Sequence, residues 1–392
     1  MIRLASLLFG IHPMRHMLRP IRQSPDQAIG RPVKLASKDT WENGTMTDIL
    51  IQNGTVVDGT GAPAFSADVR VRGGTIVEVG AGLTPQGERL FDAAGCQVTP
   101  GFIESHTHYD GTMWWQPDLD PLPGYGATTM ILGNCGFSPA PLHKYMPAQR
   151  EMIGIFSFFE DIPEGPFMQN LPWDWNTWSE YRASTERNVR VPLNYAAYVG
   201  HIAIRLAAMG VEAWDREATA EEIARMAELL DDALAAGALG LSDNMHDHDG
   251  QNRPVPTLKA SDEEFIALFD VMEKYPNCCY QVIVDTFMRM TGPQNLERLS
   301  KLLAGRRIKV QIAGAIPTLE FQKGMLPAMQ ESVRNMRAAG VDVWPGFAHV
   351  SPTSTLSLIK SLIFAQSNDY VWHEVVLEDD HAKKAALLAD PD

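Results

Sequence analysis

From Asp48 the apolar positions fall in short runs of alternating character, DILIQNGTVVDGTG and then DVRVRGGTIVEVG over Asp68 to Gly80. Asn-Gly and Gly-Gly pairs punctuate these runs as turn signals, so the pattern predicts a small antiparallel β-module. After Gly95 the pattern changes. Apolar β-type runs now alternate with amphipathic helical stretches, the signature of βαβ units around a parallel sheet, closed as a barrel or wound in two directions. Seven strands are predicted: Gln97 to Ser105, Thr128 to Asn134, Asn194 to Gly200, Ala238 to Asp243, Cys279 to Asp285, Ile308 to Gly314 and Val341 to Gly346. No eighth is visible. Two intervening helices are well marked. One opens on a capping box at Thr219 and Glu222, carries Ile223, Met226, Ala227, Leu230 and Leu234 on one face, and stops at Gly237. The other repeats the device with Ser261 and Glu264 and ends before Pro276. Residues 145 to 185 are rich in aromatic residues and proline and are too long for an ordinary connection. They line a site or pack as a surface excursion, since aromatic clusters are mostly core material.

Composition narrows the class. At about 150 residues per domain, 392 residues correspond to two or three domain equivalents, which a single barrel with an accessory module also accommodates. With 45% hydrophobic and 21% charged residues the chain is an ordinary globular one, and disorder as the main state is excluded. The net charge of −15 repels phosphate backbones, and no basic stripe follows residue 46, so nucleic acid is not an expected partner. Cys96, Cys135, Cys278 and Cys279 have no CxxC or secreted-scaffold spacing, which points to a reducing compartment and a cytoplasmic location. The apolar stretch Ile2 to Ile11 is broken by Arg3 and Ser6 and is far shorter than the roughly 20 residues of a membrane span. Residues 1–45 superficially resemble a transit peptide, with four arginines and no acid in the first 25. Met46 directly precedes the first strand signal, so a poorly ordered extension is the preferred reading.

The chemistry concentrates in VTPGFIESHTHYD, Val98 to Asp110, where an apolar strand opened by Pro-Gly ends in His106 and His108. Imidazoles at i and i+2 leave a strand on one face and can hold one divalent metal. Metal sites at the C-terminal ends of barrel strands are where barrel enzymes do their chemistry. Asp110 is read either as an orienting partner for a ligand histidine or as an exposed loop carboxylate.

The β-module, this motif and GATTMILGNCGFSPAP together resemble the metal-dependent amidohydrolase superfamily, and within it the N-acyl-D-amino-acid deacylase group. The resemblance runs from Asp48 to Asp392, with YVGHIAIR and RPVPTLKASDEE as further specific stretches. It implies an α/β fold, a (β/α)8-type amidohydrolase barrel preceded by a small β-sandwich module: extension 1–45, module 46–95, barrel 96–392. It implies one or two zinc ions held by His106, His108 and Cys135, the cysteine standing where the group has a metal-bridging Cys on strand 2; a small buried hydrophobe is the alternative for that residue. The fourth strand has no lysine, which disfavours the lysine-bridged hydantoinase pattern. His201 and Arg205 match a Gly-His-x-x-x-Arg element and are expected to contact substrate, with a hydrogen-bonded structural histidine as the alternative. His246 and His248, in NMHDHDG, read as a solvated loop, and His349 is a weaker candidate still.

The chain also departs from the family's pattern. Relatives take one metal-binding histidine from strand 5 and one from strand 6, whereas here Gln281, Asp285 and Gln311 are the only polar candidates, and glutamine is a poor zinc ligand. The catalytic aspartate of the family lies at the end of strand 8, and this sequence stops at LLADPD before such a strand, so a barrel incomplete at its C-terminus is expected and no catalytic residue is assigned. The expected activity is hydrolysis of a non-peptide amide C–N bond of an N-acyl amino acid by a zinc-bound hydroxide. The small-molecule substrate is the only partner expected, with no membrane and with oligomerisation left open. The alternative is a catalytically silent homologue acting as a scaffold.

Overall fold

Alternation in the first strands builds a sheet around β2 (Ile49–Val56), β3 (Phe65–Arg72) and β4 (Thr75–Gly80), which pair antiparallel in sequence. In this computed structural model the described residues are 10–13, 48–142, 147–251, 253–286, 291–313, 324–346, 374–375, 378 and 380–389. β1 (Gly10–Pro13), β5 (Arg89–Asp92) and β6 (Cys96–Thr99) complete six strands, with β5 and β6 running parallel to β2. The module is therefore mixed and not purely antiparallel. One face carries the core, Ile51, Val56, Ala67, Val69, Val71, Ala93 and Val98. Asp68 and Arg70 of β3 are buried too: Asp68 accepts the Asn53 and Leu83 N–H groups at 2.8 Å, and Arg70 forms ion pairs with Glu78 and Glu88. Gly73-Gly74 makes the expected tight turn between β3 and β4. Asn53-Gly54 does not turn the chain. It is a bulge inside β2, with Asn53 at φ 62° and a register shift between Ile51 and Gly54.

The strand expected over Gln97 to Ser105 is two strands. Pro100 lacks the N–H a ladder needs, and on either side of Pro100-Gly101 the chain joins different sheets, β6 in the module and β7 (Phe102–Glu104) beside β8 (Ala127–Leu132), parallel. The structure divides into two compact units, one of Met1–Ser105, Asp118–Met130 and Val191–Tyr195, the other of His106–Pro117, Ile131–Arg190 and Ala196–Asp392.

The second unit holds five parallel strands in chain order: β10 (Val199–Gly200), β11 (Gly240–Met245), β12 (Cys279–Val284), β13 (Lys309–Ala313) and β14 (Asp342–Pro345). Helices α4 (His201–Met209) and α5 (Ala220–Ala235), α6 (Asp262–Met272), α7 (Gly292–Leu303) and α8 (Leu326–Ala338) fill the four connections between them. A doubly wound sheet reverses its strand order at a switch point, whereas barrel winding keeps chain order, and the latter is what is found. The expected strand Asn194 to Gly200 is interrupted at Tyr198 into β9 (Asn194–Ala197) and β10. Pairing continues through the break, since the Tyr198 N–H donates to the Leu132 carbonyl at 3.0 Å and the Leu239 N–H to that of Ala197 at 2.8 Å. The expected end of the sixth strand at Gly314 lies outside the described residues.

The long insertion is helical: α1 (Pro147–Glu160), α2 (Glu164–Asn170) and α3 (Trp178–Asn188). Among its described residues the aromatic side chains are core material, with Phe156, Phe167 and Trp175 fully buried and the Tyr181 and Trp175 ring centroids 4.9 Å apart. Burying each is worth about 1.5–3 kcal/mol, which accounts for order in a segment of this composition. A last helix, α9, spans His381–Ala389. No helix among the described residues is long and apolar enough to cross a membrane.

Behind β11 lies a buried ionic network. His201 and Arg205 sit one turn apart on the same face of α4 and are both fully buried. The Thr219 and Glu222 capping box of α5 is complete, but Ser261 and Glu264 form only half of one. Ser261 caps the Glu264 N–H, while the Glu264 carboxylate turns inward to His201 Nε2 at 2.7 Å and to Arg205 Nη1. His201 Nδ1 lies 3.2 Å from Asp243 Oδ1, and the Tyr280 hydroxyl donates to Asp243 Oδ2 at 2.6 Å. Burial disfavours charge on His201, but Asp243 and Glu264 outweigh it and raise its pKa to about 9. Burial likewise works against a charged Glu264, yet His201 and Arg205 hold its pKa below the ordinary value.

Removing one partner of such a network strands the other charges, so Glu264→Gln is expected to lower the unfolding free energy by about 3–5 kcal/mol, read by urea denaturation. His201 has a raised folded-state pKa, so its contribution is complete below its ordinary pKa and is lost as pH rises through about 9. Stability should therefore fall over that window, and the slope should be smaller in His201→Gln.

Candidate metal centre

The turn after β8 determines where Cys135 stands. Gly133, Cys135 and Gly136 all have left-handed backbones, φ 69°, 56° and 81°. At Gly133 a side chain is excluded as well, because a Cβ would lie 2.3 Å from the Tyr198 carbonyl oxygen. A cysteine at positive φ is disfavoured unless its surroundings hold it there. They do so from three elements. Gln281 Oε1 of β12 accepts the Cys135 N–H at 2.8 Å and Asn244 Nδ2 of β11 donates to the Cys135 carbonyl at 3.1 Å. Ser242 Oγ accepts the Gly136 N–H at 3.1 Å, and the Ile202 N–H donates to the Gly136 carbonyl at 2.8 Å.

The histidine pair is anchored through the residue between its members. Thr107 is buried, and both its N–H and its hydroxyl donate to the Ile131 carbonyl, at 3.2 and 2.7 Å. Asn134 Nδ2 ties the two segments together by donating to Thr107 O and Ile131 O. His106 and His108 thus lie past the end of β7 and not on it, with ring centroids 5.2 Å apart. His108 stacks on Phe137 at 4.7 Å and 16°, and Phe156 and Phe159 meet Phe137 edge-on.

These segments bring His106, His108 and Cys135 together. One donor atom from each lies within 4.8 Å of the others, and His106 Nε2 is 3.1 Å from Cys135 Sγ. Burial lowers the His106 pKa to about 4, and burial together with His106 pushes His108 well below its ordinary value, so both rings are neutral lone-pair donors at pH 7. Burial, with Glu160, Asp247 and Asp110 nearby, raises the Cys135 thiol. A divalent cation would take the place of that proton. His108 Nδ1 is buried without a hydrogen-bond partner, and two imidazoles with a thiol form a donor set suited to zinc. The residues present fit such an ion.

Asp110 is not an exposed loop carboxylate. It is 1% exposed and accepts the Gly133 N–H, and burial raises its pKa to about 7 against that bond. Glu160, which the sequence did not single out, places Oε1 3.4 Å from His108 Nε2; burial and then Asp247, Asp161 and Asp110 raise its pKa to about 8. His201 and Arg205 belong to the buried network described above, where their contacts are to protein groups and differ from the substrate contact expected of them. His246 and His248 correct the expectation of a solvated loop. Both are buried, and His246 lies 3.3 Å from Asp285 and 3.4 Å from Asp247. Gln281 supports Cys135 through its backbone, a contact across 146 residues that no local pattern announces. His349 lies outside the described residues.

Residues 89–349 match the model of the Amidohydrolase family. The chain is 39% identical over 196 residues to an N-acyl-D-aspartate deacylase of Alcaligenes xylosoxydans xylosoxydans, covering 50% of this chain and 36% of that protein. With a D-aminoacylase of the same organism it shares 32% identity over 267 residues, 68% of this chain and 49% of the relative. The chain thus spans between about a third and a half of the length of these relatives. Among solved structures, a D-aminoacylase superposes with a TM-score of 0.61 at 32% identity, over 76% of this chain and 58% of that one. An N-acyl-D-glutamate deacylase from Bordetella bronchiseptica, complexed with zinc and a phosphonate mimic of the tetrahedral intermediate, gives 0.62 at 28% over the same shares. By these matches and by its barrel-type winding, the chain belongs to the amidohydrolase family.

Proposed function

We propose that this chain carries the metal-binding part of a hydrolase that cleaves the amide C–N bond of N-acyl amino acids, with N-acyl-D-amino acids as the substrate class. The observation that carries the reading is the convergence of His106, His108 and Cys135 donors within 4.8 Å. The likeness to deacylases at 32–39% identity supports the substrate class. When bound, one or two zinc ions would supply a Lewis acid for the carbonyl oxygen and an activated water at neutral pH.

The chain's own residues prepare for this. Neutral His106 and His108 offer lone pairs without having to lose protons, and the stacked Phe137 fixes the His108 ring. Gln281 and Asn244 fix the peptide of Cys135 on both sides, so the thiol is aimed before any ion arrives. Asp110, held by the Gly133 N–H, adds negative potential at the thiol and disfavours its ionisation until a cation is present. A second reading, a silent homologue acting as a scaffold, is favoured by one observation: β12 and β13 present Gln281 and Gln311 and no imidazole. A cytoplasmic setting remains the expectation from cysteine usage, with a small molecule as partner.

Elemental analysis of purified protein is expected to give about one zinc per chain, lost in His106→Ala, His108→Ala and Cys135→Ala. Release of free amino acid from N-acetyl-D-amino acids should follow the metal across these variants. Full zinc occupancy without turnover would favour the scaffold. Gln281→Leu leaves the Cys135 N–H unpaired, so it should destabilise the fold by about 1–3 kcal/mol in urea melts. It should also weaken zinc binding by about 10–100-fold, as loss of a ligand's supporting partner does.

A further inference from the structure

β10 runs straight into α4, and its parallel ladder with β11 pairs Val199 with Leu241 and Gly200 with Ser242 before the helix begins. The next positions in that register are His201 and Asp243, where the chain has already entered α4. Here the side chains continue the pairing, with His201 Nδ1 3.2 Å from Asp243 Oδ1 and both residues fully buried. The positions after those, Ile202 and Asn244, clasp two consecutive carbonyls of the turn that carries Cys135. The Ile202 N–H donates to the Gly136 carbonyl at 2.8 Å, and Asn244 Nδ2 donates to the Cys135 carbonyl at 3.1 Å. The His201 to Asp243 bridge therefore lies immediately ahead of both clasps.

Further contacts carry the bridge to the turn. Asp243 Oδ1, the oxygen that faces His201, also accepts the Asn244 N–H at 2.7 Å, while the Tyr280 hydroxyl holds Oδ2 at 2.6 Å. The elements meet without slack: a Cβ at Gly200 would lie 2.4 Å from the Gly136 carbonyl oxygen, and one at Gly136 would lie 3.0 Å from the Asn244 nitrogen. Interiors packed this closely transmit a shift instead of absorbing it. Resting on the metal reading above, we propose that His201 is a positioning residue of the metal centre: its Nδ1 side fixes Asp243, and through Asp243 and Asn244 it fixes the peptide that follows Cys135. Metal affinity then depends on a residue outside the donor set. The Nε2 side of the same ring, 2.7 Å from Glu264, serves the stability of the fold. The two ring nitrogens have separable duties.

The test uses that separation on the full chain. The amide nitrogen of asparagine superposes on Nδ1 of a histidine and that of glutamine on Nε2, so His201→Asn keeps a donor for Asp243 and gives up the one for Glu264, while His201→Gln does the reverse. Co2+ and, separately, Zn2+ are titrated into the metal-free proteins, with the thiolate-to-cobalt charge-transfer band from Cys135 as the optical readout, and unfolding in urea is followed without metal. His201→Gln is expected to raise the dissociation constant about tenfold, the lower end of the loss that follows removal of a ligand's supporting partner. His201→Asn should stay within about twofold of wild type, the scatter of uncoupled sites, whatever its loss of stability. Tyr280→Phe, which removes only the hydroxyl on the other Asp243 oxygen, should weaken binding as His201→Gln does and replaces it if that variant does not fold. Glu264→Gln likewise stands in for His201→Asn. Equal affinities on the two sides, both weakened or both at the wild-type value, would overturn the proposal and leave the network purely structural, as would weakening on the Glu264 side alone. A wild-type chain that binds neither ion would overturn the metal reading itself.

Discussion

The centre depends on a left-handed turn that the chain would not adopt unaided. Cys135 at φ 56° is disfavoured intrinsically, and hydrogen bonds from Gln281, Asn244, Ser242 and Ile202 hold it and its neighbour in place. Those residues sit on β12, β11 and the start of α4. Barrel winding is what brings these elements beside the turn, so the fold and the site are one construction: the turn needs the strands in chain order, and the strands set the direction of the thiol.

The buried ionic network strengthens the same scaffold from behind. Asp243 and Asn244 are consecutive on β11 and serve opposite sides, the first joined to His201 and Tyr280, the second to the Cys135 carbonyl. The Asn244 N–H also donates to Asp243 Oδ1 at 2.7 Å, so the two functions are linked through a single peptide. Burying this many polar groups is tolerable only because they satisfy one another. In NMHDHDG, polar enough to read as a solvated loop, Asn244 does this locally: its Nδ2 donates to Asp247 Oδ2 at 2.8 Å and its Oδ1 accepts the His246 and Asp247 N–H groups, which holds the segment in the interior.

Much of the architecture was legible in the sequence because strands and helices leave local periodicities. All seven expected strand regions contain strands, and both marked helices begin at their capping residues. The errors share a cause. Asn53-Gly54 has the chemistry of a tight turn, and only pairing with β3 and packing against Val98 make it a bulge. Glu264 has the spacing of a capping partner, and only the approach of α4 draws its carboxylate away. In the site, His106 and His108 stand in a compact motif just past a strand, which can be read directly, whereas Cys135 entered through the family resemblance. Gln281 reaches Cys135, and Glu160 the His108 ring, across distances in sequence that carry no motif, so both contacts emerge only from the fold.

The aromatic stack under His108 has a consequence of its own. Phe137 lies flat against the imidazole and is wedged by Phe156 and Phe159 from α1, so the ring is confined before any ion or ligand arrives. The rotational entropy it would otherwise lose on coordination is given up during folding instead. The insertion therefore acts as a tuning layer: substitutions among its phenylalanines would loosen or tighten the grip on a bound ion while every donor atom stayed chemically unchanged.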